Sequence, residues 1–285
     1  MADPDKNENE RTVIDEKRPG EAVEKNGGML LENKKAVIFG AGGAIGGAVA
    51  RAFAREGARV SLSGRAAAPV EAVANDIRAA GGVAEAATVD ALDGAAIERY
   101  VAGVAGQAGG VDVVLNAVGV HAVQGTPLTE LPLDDFAFPI TTWASTQFLT
   151  ARAAAKHMVT ERKGVILTLS ASPASLALPG AGGFGVACAA IEGLTRTLAA
   201  ELGPQGVRVV CLRPHRIGDS GANADARSEE AEFRRLLEDM TLLKRLPTLA
   251  EVADTAAFLA SDRAGAITGA ITGAVANLTG GMSVD

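Results

Sequence analysis

Tyrosine is nearly absent from this chain. One occurs in 285 residues, Tyr100, beside a single tryptophan, Trp143, and aromatic residues total 4%. Any chemistry that needs a phenol therefore depends on Tyr100 alone. Cysteine is almost as scarce: only Cys188 and Cys211 occur, both inside apolar runs. That excludes a disulfide framework and leads us to expect reduced thiols and a cytoplasmic setting. Three histidines give no spacing suited to a metal centre, and none is expected. Positive charge is not in excess: Lys and Arg number 27 against 34 Asp and Glu, a net charge of −7. A nucleic-acid surface is excluded on that balance. No uninterrupted apolar run is long enough for a bilayer, so no membrane partner is expected, and no secretory leader is read at the start.

What is present is a chain with 48% hydrophobic residues. It is long enough for one full core. Residues 1–28 are rich in charged and amide side chains and poor in apolar ones, so a disordered tail is expected there. Residues 29–285 are expected to form one folded domain. Short apolar strands at 36–39, 59–63, 83–89, 111–115, 164–169 and 207–212 alternate with helical stretches at 44–56, 69–80, 93–107, 134–158 and 185–202. The fourth helix is expected to bend at Pro139. Apolar strands alternating with helices predict an α/β fold, a single doubly wound parallel sheet of the Rossmann kind. Residues 214–245 hold a flexible Gly218-Asp219-Ser220-Gly221 stretch and a charged amphipathic helix at 229–240. They are expected to form a lid over a substrate.

A glycine cluster follows the first strand and opens the first helix: Gly40-Ala41-Gly42-Gly43-Ala44-Ile45-Gly46-Gly47. Glycine permits a tight turn, and backbone N–H groups at a helix N-terminus attract a pyrophosphate. Further on stand Ser63-Gly64-Arg65, Val89-Asp90-Ala91 and Asn116-Ala117-Val118-Gly119. Near the end are Leu243-Lys244-Arg245-Leu246-Pro247, Phe258-Leu259-Ala260-Ser261-Asp262, Thr272-Gly273 and Gly280-Gly281. Together these resemble the short-chain dehydrogenase/reductase (SDR) superfamily over roughly residues 34–281. Ala44 stands where the family's loop has its middle glycine. The second Asn of its Asn-Asn-Ala-Gly motif is lost.

The resemblance implies a dinucleotide cofactor held by Gly40, Gly42, Gly43, Ala44, Ile45 and Gly46. Gly64, Arg65, Asp90, Ala91, Asn116, Ala117, Gly119 and Pro214 complete its site. Members that prefer NAD(H) carry a carboxylate at the Gly64 position. Here Arg65 follows instead, suited to a 2′-phosphate, so NADP(H) is expected over NAD(H). The resemblance also implies a small-molecule substrate and a homodimer or homotetramer built on the fourth and fifth long helices.

At the reacting end the expectation changes. The family's catalytic Tyr falls on Phe184, its Lys on Cys188, its Ser on Ala171 between Ser170 and Ser172, and its Asn on Trp143. Phenylalanine has no ionisable proton, and cysteine carries no positive charge. His121 and His215 are the substitute proton donors nearest in the pattern, since imidazole titrates near neutral pH. Three functions stay open: an NADP(H)-dependent oxidoreductase with a non-standard active site, a cofactor-binding pseudoenzyme or sensor subunit, and a non-redox enzyme reusing the pocket. The first is preferred because the family carries redox chemistry.

Overall fold

The structure is a computed structural model, which describes residues 28–220, 228–267 and 274–283. Most of the expected tail, residues 1–27, and Thr272-Gly273 lie outside the described residues. So do residues 221–227 of the expected lid.

Strands alternate with helices as the apolar pattern requires. In chain order they are β1 (Lys35–Phe39), α1 (Ala44–Arg55), β2 (Arg59–Gly64), α2 (Ala67–Ala79), β3 (Val83–Thr88), α3 (Gly94–Ala108), β4 (Val113–Asn116) and α4 (Leu133–Glu161). There follow β5 (Gly164–Leu169), α5 (Gly182–Leu202), β6 (Val207–Pro214), α6 (Ser228–Met240), α7 (Leu249–Ala260) and β7 (Val275–Leu278). Every neighbouring pair of strands is parallel, in the order β3-β2-β1-β4-β5-β6-β7. This is the doubly wound sheet expected from the sequence. The order reverses direction between β1 and β4, the switch point at which such sheets leave a crevice beyond their carboxyl ends.

Burial explains the composition of the strands. All residues of β4, β5 and β6 are buried, so these strands read as apolar runs without alternation. Phe53, Leu62, Val113, Leu167 and Leu212 lie in the core on one face. Val37, Ile97, Ile166 and Val209 lie in the core on the other, under α3, α4 and α5. Each such aliphatic or aromatic side chain contributes about 1.5–3 kcal/mol by leaving water.

Helix ends follow local chemistry. Asp93 caps α3 by accepting from the Ala96 N–H at 2.9 Å. Thr248 and Glu251 form a reciprocal capping box at the start of α7. Pro139 lies inside α4 as its seventh residue, and the helix runs for 29 residues in all.

Candidate active site

At the crevice, the turn from β1 into α1 is set by backbone contact. Gly40 has φ +74, and a Cβ there would come within 2.6 Å of the Ala117 backbone at the exit of β4. A Cβ on Gly46 would collide with the Gly40 carbonyl oxygen. Two strand exits can therefore sit against one helix start only with glycine at both positions. Gly43 is the N-cap of α1 and has no side chain to satisfy the helix's first amides. Those of Ala44, Ile45 and Gly46 have no intrahelical partner either, which leaves a set of donors with the positive end of the helix dipole behind them.

A cleft of about 450 Å³ opens beside this turn. Gly40, Gly42 and Gly43 line it from the turn, Gly64 and Arg65 from the end of β2, and Asp90 and Ala91 from the end of β3. Ala117, Gly119 and His121 line it from the segment after β4. Ala44, Ile45, Gly46, Asn116 and Pro214 do not line it. Asn116 is buried: its Nδ2 donates to Thr150 Oγ1 at 3.0 Å and its Oδ1 accepts from the Val118 N–H at 2.9 Å. Its work is to fix the segment after β4 against α4.

Asp90 is exposed and accepts from the Leu92 N–H at 3.0 Å, which orders its own turn. Arg65 is exposed too, with no ion pair or hydrogen bond among the described residues. A side chain at Gly64 would bring its Cβ within 2.9 Å of Val70 Cγ2, so a carboxylate does not fit there without displacing Val70. From α4, Phe138, Thr142 and Thr146 also line the cleft, and none of them is among the residues expected there. Their spacing of four along α4 is a helix-face signal, but it does not distinguish a cleft wall from a packing face.

The positions that the sequence leads one to expect at the reacting end come together in space. Trp143 on α4 and Phe184 on α5 stack with ring centroids 5.3 Å apart and planes 11° from parallel. Trp143, Cys188, Ile191 and Cys211 form one buried apolar cluster, and Phe184, Ala171, Val120 and Ile140 pack on it. Gly183 makes the approach possible, since a Cβ there would strike the Phe136 carbonyl oxygen on α4. Burial pushes the Cys188 thiol up to about 12, so it is a neutral packing group at physiological pH. Burial also raises the Tyr100 phenol, which stands edge-on to Phe39 at 5.8 Å under α3, away from this cluster.

Below the cluster runs a ladder of buried polar pairs that the sequence reading did not foresee. Thr168 and Thr195 share a hydrogen bond of 2.7 Å. Ser170 Oγ donates to Glu192 Oε1 at 2.9 Å, and Arg213 grips the same carboxylate through Nε at 2.7 Å and Nη2 at 3.0 Å. Ser172 Oγ and His215 Nδ1 are 2.7 Å apart at the top. Ser170 is thus committed to a buried ion pair. His215 departs from the sequence expectation: burial, with the Arg216 charge behind it, holds its imidazole down at about 4. It is neutral near pH 7 and does not serve there as an imidazolium acid. His121 stands apart from this pair, exposed on the cleft.

Fold, switch-point cleft and glycine turn define a doubly wound α/β protein of the dinucleotide-binding type. The chain belongs to the short-chain dehydrogenase/reductase superfamily: residues 40–279 match the family described as enoyl-(acyl carrier protein) reductase. It is 34% identical to meso-2,3-butanediol dehydrogenase of Serratia marcescens over 242 residues, 84% of this chain and 92% of that protein. It is 30% identical to D-threitol dehydrogenase of Mycolicibacterium smegmatis over 245 residues, 83% of this chain and 89% of that one. Among solved structures, a double mutant of a Serratia marcescens short-chain dehydrogenase/reductase superposes with a TM-score of 0.79 at 30% identity, covering 90% of this chain and 100% of that one. These similarities support an oxidoreductase. Among the described residues no helix is long and apolar enough to cross a membrane.

Proposed function

We propose that this chain is an NADP(H)-dependent oxidoreductase of a small molecule, with a non-standard set of residues at its reacting end. The observation that carries the reading is the pairing of an open cleft with a closed apolar cluster. The cleft offers unpartnered α1 amides for a pyrophosphate, Arg65 for a 2′-phosphate and Asp90 for the adenine side. A nicotinamide dinucleotide held by these groups would supply hydride-transfer chemistry. Ala171, Phe184, Cys188 and Trp143 offer it no acid and no cation. The proton that completes reduction of a carbonyl then comes from solvent, and simple ketones lose the roughly 10²–10⁴-fold that a positioned acid supplies. The proposal includes residues 214–245 as a substrate lid and a homodimer or homotetramer that buries α4 and α5.

Calorimetric titration tests the cofactor. NADPH is expected to bind about tenfold more tightly than NADH, and Arg65→Ala to remove the difference, the scale of one charge-assisted contact. No heat with either nucleotide overturns the reading. Kinetics test the reacting end. Simple ketones are expected to react slowly with the native chain and faster in the triple variant Ala171→Ser, Phe184→Tyr, Cys188→Lys. Ordinary ketone reduction by the native chain would show that the acid is present elsewhere. Tight NADPH binding without any turnover, before or after these substitutions, would overturn the oxidoreductase reading and make the protein a cofactor-binding partner or sensor.

A further inference from the structure

The ladder of polar pairs ends in an atom that has nothing to bond. β5 and β6 run side by side with Leu169 opposite Leu212. The same register carried forward sets Ser172 opposite His215, and there the two side chains meet at 2.7 Å. His215 is 9% exposed. Its Nε2 is buried and has no hydrogen-bond partner. Each rung below is fully paired, so the open valence is confined to the carboxyl end of the sheet, where ligands of this architecture bind.

A buried, unpaired polar atom costs about 1–3 kcal/mol, and a protein gains by filling it. The ring is neutral, so Nε2 presents either an N–H or a lone pair, depending on the tautomer that Ser172 fixes. A hydroxyl can meet either form, and a carbonyl meets the N–H. A charged group is a poorer fit, because Nε2 is buried and the neutral ring offers it no countercharge.

We propose that His215, held through Nδ1 by Ser172, is a substrate-binding residue that hydrogen-bonds an uncharged oxygen on the substrate next to the one that undergoes redox change. The site therefore selects hydroxy ketones and vicinal diols over the same skeletons lacking the second oxygen. This rests on the oxidoreductase reading, in which the reacting carbon lies against positions 171 and 184. His215 moves no proton in this role. It sets specificity, and Ser172 is a positioning residue that acts through it.

The test uses the full chain loaded with cofactor, with acetoin and butanone as probes that differ in one hydroxyl. The native protein is expected to prefer acetoin by about tenfold or more in kcat/KM, as sites built to pair a hydroxyl do. His215→Ala is expected to bring the two within about threefold by lowering the acetoin value alone, and His215→Gln to restore part of the preference. Melting-temperature shifts of the NADP⁺-loaded protein give the same ranking without turnover. Absence of an acetoin shift, or an unchanged preference in His215→Ala, overturns the inference. Should His215→Ala not fold, Ser172→Ala decides: loss of preference supports the pair, and retention refutes it. NADPH titration separates the two levels. A protein that binds NADPH but ignores the hydroxyl loses only this inference, and one that binds no NADPH loses the oxidoreductase reading itself.

Discussion

His215 shows how one substitution acquires meaning only from its surroundings. The sequence places an imidazole beside Pro214, and an imidazole near neutral pH suggests a proton donor. The fold buries it against Ser172 and Arg216, and its pKa falls from 6.5 to about 4. The sign of the consequence follows. The unfolded chain takes up a proton near pH 6.5 and the folded one does so only near pH 4. The stability contributed by the neutral ring is present above pH 6.5 and lost as pH falls toward 4. Chemical denaturation between pH 7 and pH 4 should therefore show a loss that His215→Gln reduces. An unchanged slope in the variant would place the titrating group elsewhere. At the same scale, Arg65, Asp90 and the glycine turn were legible in the sequence. Each lies on the cleft at a place that its neighbours in the chain define. Phe184 and Cys188 are legible in the sequence as side chains without an acid or a cation, but their packing with Trp143 is not, because it depends on how two helices cross.

Among the elements, the six strands and five helices first read from periodicity all form, with boundaries shifted by a few residues. α7 and β7 were not read as elements. For α7 the signal existed: Thr248 and Glu251 are a capping box ahead of an apolar run, Leu249–Ala260. For β7 it did not, since four residues, three half-buried and Asn277 exposed, give no periodicity to count. The polar ladder was hidden for a different reason. Thr168 and Ser170 sit in or beside an apolar strand, and their partners on α5, Thr195 and Glu192, lie 27 and 22 residues away. Glu192 and Arg213 are both almost fully buried, their side chains 8% and 5% exposed. Removing one partner of such a pair leaves the other charge without it, at about 3–5 kcal/mol. Glu192→Ala should lower the unfolding free energy measured in urea by that amount, and Glu192→Gln by less because it still accepts from Ser170. A loss under about 1 kcal/mol in Glu192→Ala, the range of exposed pairs, would mean that α5 and β6 do not depend on the pair.

For the molecule as a whole, the candidate site gathers at one edge of the sheet. The cleft and the Ser172–His215 pair lie at the carboxyl ends of the strands, and the apolar cluster reaches from there down to Cys211 within β6. The smaller cavity at the amino edge, about 210 Å³, is lined by charges already paired, with Lys34 bound to Asp262 at 2.7 Å and Lys163 within 3.4 Å of Asp112. The remaining apolar surface needs its own account. On α4, Leu133, Phe138 and Phe148 are exposed by 76%, 51% and 41%, and on α5 Val186 is exposed by 46%. These two helices pack against each other and carry the reacting-end positions, so an assembly that covers them would also brace the Trp143–Phe184 stack. Scattered single apolar residues need no explanation, but a group on two adjacent helices fits an isologous interface, which must bury on the order of 1,000 Å² or more to be stable. Light scattering at micromolar concentration should give a dimer or tetramer mass, and Phe148→Glu with Val186→Glu should move it toward the monomer by burying two carboxylates in each copy of the interface. A native chain that stays monomeric would reject the assembly. A dimer indifferent to both substitutions would move the interface off α4 and α5 and leave the stack to be held by its own chain alone.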